Sequence, residues 1–151
     1  MNPQQWLYAL SAVAVGTLFP VQTAANSLLA RYIGGPIAAT IVSFATGLVM
    51  LLAINAFVFR QWPALADFAA PPWPLWLIGG AIGAVFLSSN VFLAPRLGAA
   101  ATLCFVIAGQ LTAALVIDRM GLFGFATREA TPGRLVGVVM VLVGTVLVRL
   151  L

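Results

Sequence analysis

Hydrophobic residues run along this chain in five long blocks, broken only by short polar punctuation. The blocks cover residues 6–29, 36–59, 73–94, 98–117 and 134–150. A helix needs about 20 mostly apolar residues to cross the hydrocarbon core of a bilayer, and each block approaches or exceeds that length. The runs are continuous rather than alternating, which argues against barrel strands, and lipid tolerates only helices or closed barrels. The pattern predicts an all-α membrane protein with five transmembrane helices in one domain, residues 1–151.

The breaks between blocks carry turn chemistry. Arg31 to Gly35 closes the first hairpin, and Gly34-Gly35-Pro36 supplies a stop followed by a helix start. Arg60 to Pro72 forms a longer loop containing Pro63, Asp67, Pro71 and Pro72. Pro95-Arg96 predicts a tight turn. Asp118 to Gly133 is the most polar loop, and Thr131-Pro132 there reads as a helix cap. The first block follows MNPQQW, which lacks a positive leader segment, so it is read as a retained helix.

Composition sharpens the class. Hydrophobic residues make up 63% of the chain and charged residues 7%, against roughly a quarter charged in soluble domains. The net charge of +4 rests on seven arginines, with no lysine and no histidine. The arginines are scattered, so there is no basic stripe for nucleic acid. Without histidine no Ser-His or Cys-His set exists, and Cys104 stands alone, with neither a disulfide partner nor a metal cluster. No phosphate-cradling motif is present. The chain therefore reads as no enzyme, with no metal and no cofactor.

The charges also bear on orientation. The N-terminal side of the bilayer takes Arg60, Arg119, Arg128 and Arg134, and the other side takes Arg31, Arg96 and Arg149, a bias of four against three. The positive-inside rule needs an excess. Near balance leaves two readings: one orientation under weak cues, or dual topology with copies paired antiparallel. An antiparallel homodimer supplies the inverted symmetry on which many transporters rely. Trp6, Trp62, Trp73 and Trp76 all fall on the N-terminal side, so a pair would carry aromatic belts on both interfaces.

One polar phrase occurs twice: NSLLARYIGGPIAAT from Asn26 and NVFLAPRLGAAAT from Asn90. Each joins one span to the next. Asn26 and Asn90 fall near the ends of spans one and three, and Thr40 and Thr102 early in spans two and four. Either the phrase is an internal repeat of helical hairpins, or it is chance likeness between small-residue segments.

The chain resembles the short YdcZ-type inner-membrane exporters of the drug/metabolite transporter (EamA-like) superfamily. The matching pieces are Gln22-Thr-Ala-Ala-Asn26, Ser43-Phe-Ala-Thr-Gly47, Leu77-Ile-Gly-Gly80, Pro95-Arg-Leu-Gly98 and Gly109-Gln110. Asp118-Arg-Met-Gly-Leu-Phe-Gly124 is the most distinctive, and Gly137 and Gly144 also fit. Relatives often have ten helices in two inverted halves. The resemblance thus implies one half of an inverted-repeat fold, working as a homodimer or beside a homologous partner in a bacterial inner membrane.

Polar groups inside spans are the candidate working parts, because each is costly in hydrocarbon unless it faces protein or water. Gln110 lies near the middle of span four. Gln22 and Asn26, spaced i, i+4, share a face of span one, where Pro20 should bend the helix. Asn90 clusters with Ser88 and Ser89, and hydroxyls there and at Ser43, Thr46, Thr102 and Thr112 are expected to bond back to their own helices. Phe44, Phe86 and Phe105 offer an apolar wall. The candidate substrate-binding set is Gln22, Asn26, Phe44, Phe86, Asn90, Phe105 and Gln110. Asp118, the only carboxylate adjoining a span, is either a proton carrier or a solvated end charge. The resemblance to small multidrug transporters, where a membrane-central acid couples protons, keeps the first reading open. Gly79 and Gly83, and Gly137 and Gly144 in the last span, are candidate helix-packing or dimer contacts.

The leading functional reading is a secondary transporter that exports a small organic metabolite or drug-like compound by alternating access in a dual-topology homodimer. The alternatives are a small-ion channel, for example an anion pore, and a non-transporting subunit of a heterodimer.

Overall fold

A computed structural model describes residues 2–64, 67 and 71–150, with the backbone alone at Arg149. The described residues form six α-helices: α1 (Pro3–Gly16), α2 (Leu18–Tyr32), α3 (Pro36–Ile54), α4 (Pro74–Leu97), α5 (Ala99–Met120) and α6 (Pro132–Leu150). No strand occurs among the described residues. Pro3–Tyr32, Pro36–Phe59, α4 and α5 are long and apolar enough to cross a membrane. The last helix, α6, is apolar but shorter, with 19 residues, and reaches about 28 Å.

The helix boundaries follow local chemistry. Asn2 caps α1: its side chain accepts from Gln5 N–H at 2.8 Å, and the Gln5 side chain accepts from Asn2 N–H at 2.9 Å, a reciprocal box. The first span is interrupted at Thr17, whose N–H is shared between the Val13 and Ala14 carbonyls. The helix restarts at Leu18. Pro20 thereby falls in the first turn of α2, where a missing N–H is harmless. The expected weakness at Pro20 is thus resolved by a break three residues earlier. Gly34 and Gly35 both take positive φ, and Pro36 opens α3. The second span ends in a π-helical turn, Asn55–Phe59, closed by Arg60 in the left-handed region. Of the following loop, residues 65, 66 and 68–70 lie outside the described residues.

One predicted turn is displaced. Pro95-Arg96 does not turn: both residues lie in the last turn of α4, which continues to Leu97. Gly98, at φ 88°, is the sole residue between α4 and α5. Only glycine adopts that conformation readily, so it outweighs proline as the breaking signal.

The chain forms two compact units, Met1–Pro95 and Arg96–Leu151. In the first, α4 turns Leu87, Asn90, Val91 and Ala94 inward, an i, i+3, i+4, i+7 seam. Leu87 and Val91 pack with Ala39 of α3, flanked by Leu29 and Ala30 of α2. In the second, α5 packs against α6, and Thr145 of α6 donates to the Cys104 carbonyl of α5 at 3.2 Å as well as to Val141 of its own helix. Large hydrophobics lie mostly on the outside. Lipid tails match such a surface, so helix association rests on close fit and interhelical hydrogen bonds rather than on hydrophobic burial.

Candidate functional site

The inward faces of the first unit carry a polar cluster. Asn26 of α2 is buried, and its Oδ1 accepts from the Ser43 hydroxyl of α3 at 2.7 Å. Ser27, next on α2, donates to the Val91 carbonyl of α4 at 3.3 Å. Ser88 of α4 donates to Thr40 Oγ1 of α3 at 3.0 Å, and Thr40 donates to the Pro36 carbonyl at 2.9 Å. Asn90, 2% exposed, donates from Nδ2 to the Phe86 carbonyl at 2.7 Å. These bonds tie three helices together through neutral groups alone.

The cluster is not saturated. Asn26 Nδ2, Asn90 Oδ1 and Thr23 Oγ1 are buried without a hydrogen-bond partner among the described residues. A buried polar atom left unpaired costs about 1–3 kcal/mol. Three such atoms fall in one unit, and each calls for a partner that the described residues do not supply.

Two adjoining recesses open on the α3–α4 side, with volumes of about 400 and 380 Å³, sharing Ile37, Ser88 and Ser89. Thr40 and Phe44 line the larger. Phe44 lies against Gly83, where an added Cβ would come within 3.3 Å of its ring. Phe86 stacks on Phe19 with ring centroids 5.4 Å apart. Gly79, by contrast, faces open space.

The predicted site residues thus separate. Phe44 lines the recess, Asn26 and Asn90 lie buried in the polar cluster, and Phe86 braces α4 against Phe19. Gln22 is exposed, and Thr23 takes the inward position on α2 beside Asn26. In the second unit Phe105 and Gln110 both lie on the exposed side of α5. Thr23 was missed by the sequence reading, although it lies three residues before Asn26 and so shares its face. The repeated phrase has a structural counterpart. Both asparagines are buried, both threonines are buried and bond back to a carbonyl four residues earlier, and Gly35 and Gly98 both cap with positive φ.

The D-x-x-G-L-F-G segment builds the other polar feature. Asp118 pairs with Arg134 at the start of α6. Its carbonyl receives Arg128 N–H at 2.8 Å, and Arg134 also donates to the Glu129 carbonyl at 3.2 Å. Gly121 ends α5 at φ 62°, and a Cβ there would lie 2.7 Å from Thr127 Cγ2. These contacts close the loop upon the end of α5. Gly137 and Gly144 of α6 face open space.

No curated protein and no solved structure matches the chain significantly. A family model does, described as "Putative inner membrane exporter, YdcZ", over residues 7–147. Multiple apolar spans, charges confined to their ends and a nearly full-length match converge: the chain belongs to the YdcZ family of inner-membrane exporters.

Proposed function

We propose that the chain is a secondary transporter exporting a small organic metabolite or drug-like compound across a bacterial inner membrane, as an antiparallel dual-topology homodimer. The observation that carries this reading is the pair of buried, half-satisfied asparagines, Asn26 and Asn90, in the same unit as a recess lined by Thr40, Phe44 and Ser88. A merely structural seam would be expected to pair its own amides. A carrier needs groups whose partner comes and goes.

The exposed amides support a second copy. Gln110 lies mid-span on α5 and Gln22 within the first span, both on outer faces. In a lone copy each would face lipid, which is costly. A second molecule or a bound substrate covers them. Gly79, Gly137 and Gly144 offer open, close-approach surfaces for such a neighbour, while Gly83 is taken up by Phe44. In this reading Phe44, Phe86 and Phe105 form apolar walls, and the two copies exchange inward- and outward-open shapes. Asp118 is the one candidate for proton coupling, acting through its pairing with Arg134.

The test has two arms. Cysteine tagging of the C-terminus, with membrane-impermeant reagent applied before and after permeabilisation, should label about half the molecules from each side. Purified chain in proteoliposomes should then drive saturable solute efflux without unitary currents. A single orientation removes the dual-topology dimer, and unitary currents would make the chain a channel.

A further inference from the structure

Resting on that exporter reading, we infer that the solute is uncharged and carries a hydrogen-bond donor beside an acceptor, as a carboxamide does. The inference starts from what the first unit lacks. No Asp, Glu, Lys or Arg occurs within residues 18–30, 36–59 or 74–95. The only acidic residue of this unit, Asp67, sits in the loop after the second span, where its carboxylate accepts from Ala64 N–H at 2.8 Å. A full charge taken from water into this seam would meet no countercharge. A few neutral hydrogen bonds do not repay the desolvation of an ion, and the phenyl face of Phe44 offers only a weak substitute for a cation.

The seam is equipped instead for a neutral partner with both polarities. Asn26 Nδ2 is a donor that needs an acceptor, Asn90 Oδ1 is an acceptor that needs a donor, and Thr23 Oγ1 serves as either. Each residue is more than nine-tenths buried. Thr40 and Ser88, which line the recess and bond to each other, belong to the same α2–α3–α4 unit as this set. In this inference a solute entering from the recess reaches the orphaned amides as α2, α3 and α4 part during the cycle. A group offering only donors, or only acceptors, leaves one asparagine unmatched.

The test uses three near-isosteric probes on the full chain: benzamide, benzamidinium and benzoate. They differ in charge and in donor–acceptor balance but hardly in shape. Equilibrium binding is measured on protein in lipid nanodiscs, and counterflow in proteoliposomes. Benzamide should bind at least tenfold tighter than either ion. Asn90→Leu and Asn26→Leu should each weaken it at least tenfold. Ser89→Ala, a milder change in the recess wall, keeps the test open should an asparagine variant fail to fold, and should weaken benzamide alone. Equal or tighter binding of benzamidinium or benzoate overturns the inference, as does absence of binding by all three. Counterflow of a charged probe would overturn it while leaving the exporter reading intact. Benzamide that binds but is never moved would instead remove the exporter reading.

Discussion

The Ser43 hydroxyl of α3 donates to Asn26 Oδ1 of α2 at 2.7 Å, while Nδ2 of the same amide is buried without a partner. Half of this side chain holds two helices together and half is unspent. That division separates stability from transport in a way mutation can read. Asn26→Leu removes an orphaned donor together with one hydrogen bond, and interhelical bonds in membranes average only about 0.6 kcal/mol. Thermal unfolding in detergent should therefore change by less than about 1 kcal/mol, while efflux falls at least tenfold. Ser43→Ala leaves both ends of the amide unmatched and should lower stability more than Asn26→Leu does. The reverse order would make the cluster purely structural.

Gly83 and Gly137 should behave oppositely. A side chain at Gly83 meets Phe44, so Gly83→Val should push the ring into the recess and reduce both melting temperature and transport. Gly137 faces open space, so Gly137→Val should leave monomer unfolding within about 0.5 kcal/mol of the parent. It should nevertheless weaken self-association in lipid, measured by single-molecule photobleaching or energy transfer. Unchanged association would take α6 out of the dimer contact.

Gly121→Ala combines left-handed backbone, costing about 1–2 kcal/mol, with a collision at Thr127 Cγ2. Thr127→Ser removes that methyl group. The double variant should recover the collision part and keep the backbone part, giving a favourable coupling near 1 kcal/mol in a double-mutant cycle. Strict additivity would mean the loop relaxes by another route.

Asp118 and Arg134 pair at a partly exposed site, with side chains 25% and 36% exposed. Such a pair contributes about 0–1 kcal/mol. Asp118→Asn should therefore cost little stability. If the carboxylate couples protons, the variant loses the response of efflux to an imposed pH gradient but keeps downhill exchange. The swap Asp118→Arg with Arg134→Asp should restore stability without restoring the gradient response. A gradient response that survives Asp118→Asn excludes this residue from coupling.

The near balance of arginines predicts that one added charge decides orientation. Gln4→Lys lies on the exposed first turns of α1 and gives up only a surface bond to Tyr8. It should drive the N-terminus to the cytosol and abolish efflux. Coexpression with a variant biased the other way should restore it. Full activity of the singly biased protein would rule out an antiparallel partner.

The sequence by itself determined the apolar, helical character of the chain and the confinement of charge to the ends of its apolar segments. Length, hydropathy and glycine–proline punctuation are local properties, and a bilayer reads them one segment at a time. Gly34-Gly35-Pro36 turned where expected, and the one misplaced turn, at Pro95, came from ranking a proline that α4 absorbs above the positive-φ glycine that follows. Only the tertiary structure decided which polar side chains face inward. Gln110 drew notice by its depth and Gln22 by its spacing from Asn26, yet both side chains are exposed, whereas Thr23 carried no signal except its place one turn before Asn26. It also chose Arg134, sixteen residues away, as the partner of Asp118 rather than the adjacent Arg119. The reason is that these helices are apolar on every side, so periodicity does not single out a face. In lipid the face is chosen by where small residues let helices approach and where a hydroxyl meets an amide, and those meetings exist only after the helices pack.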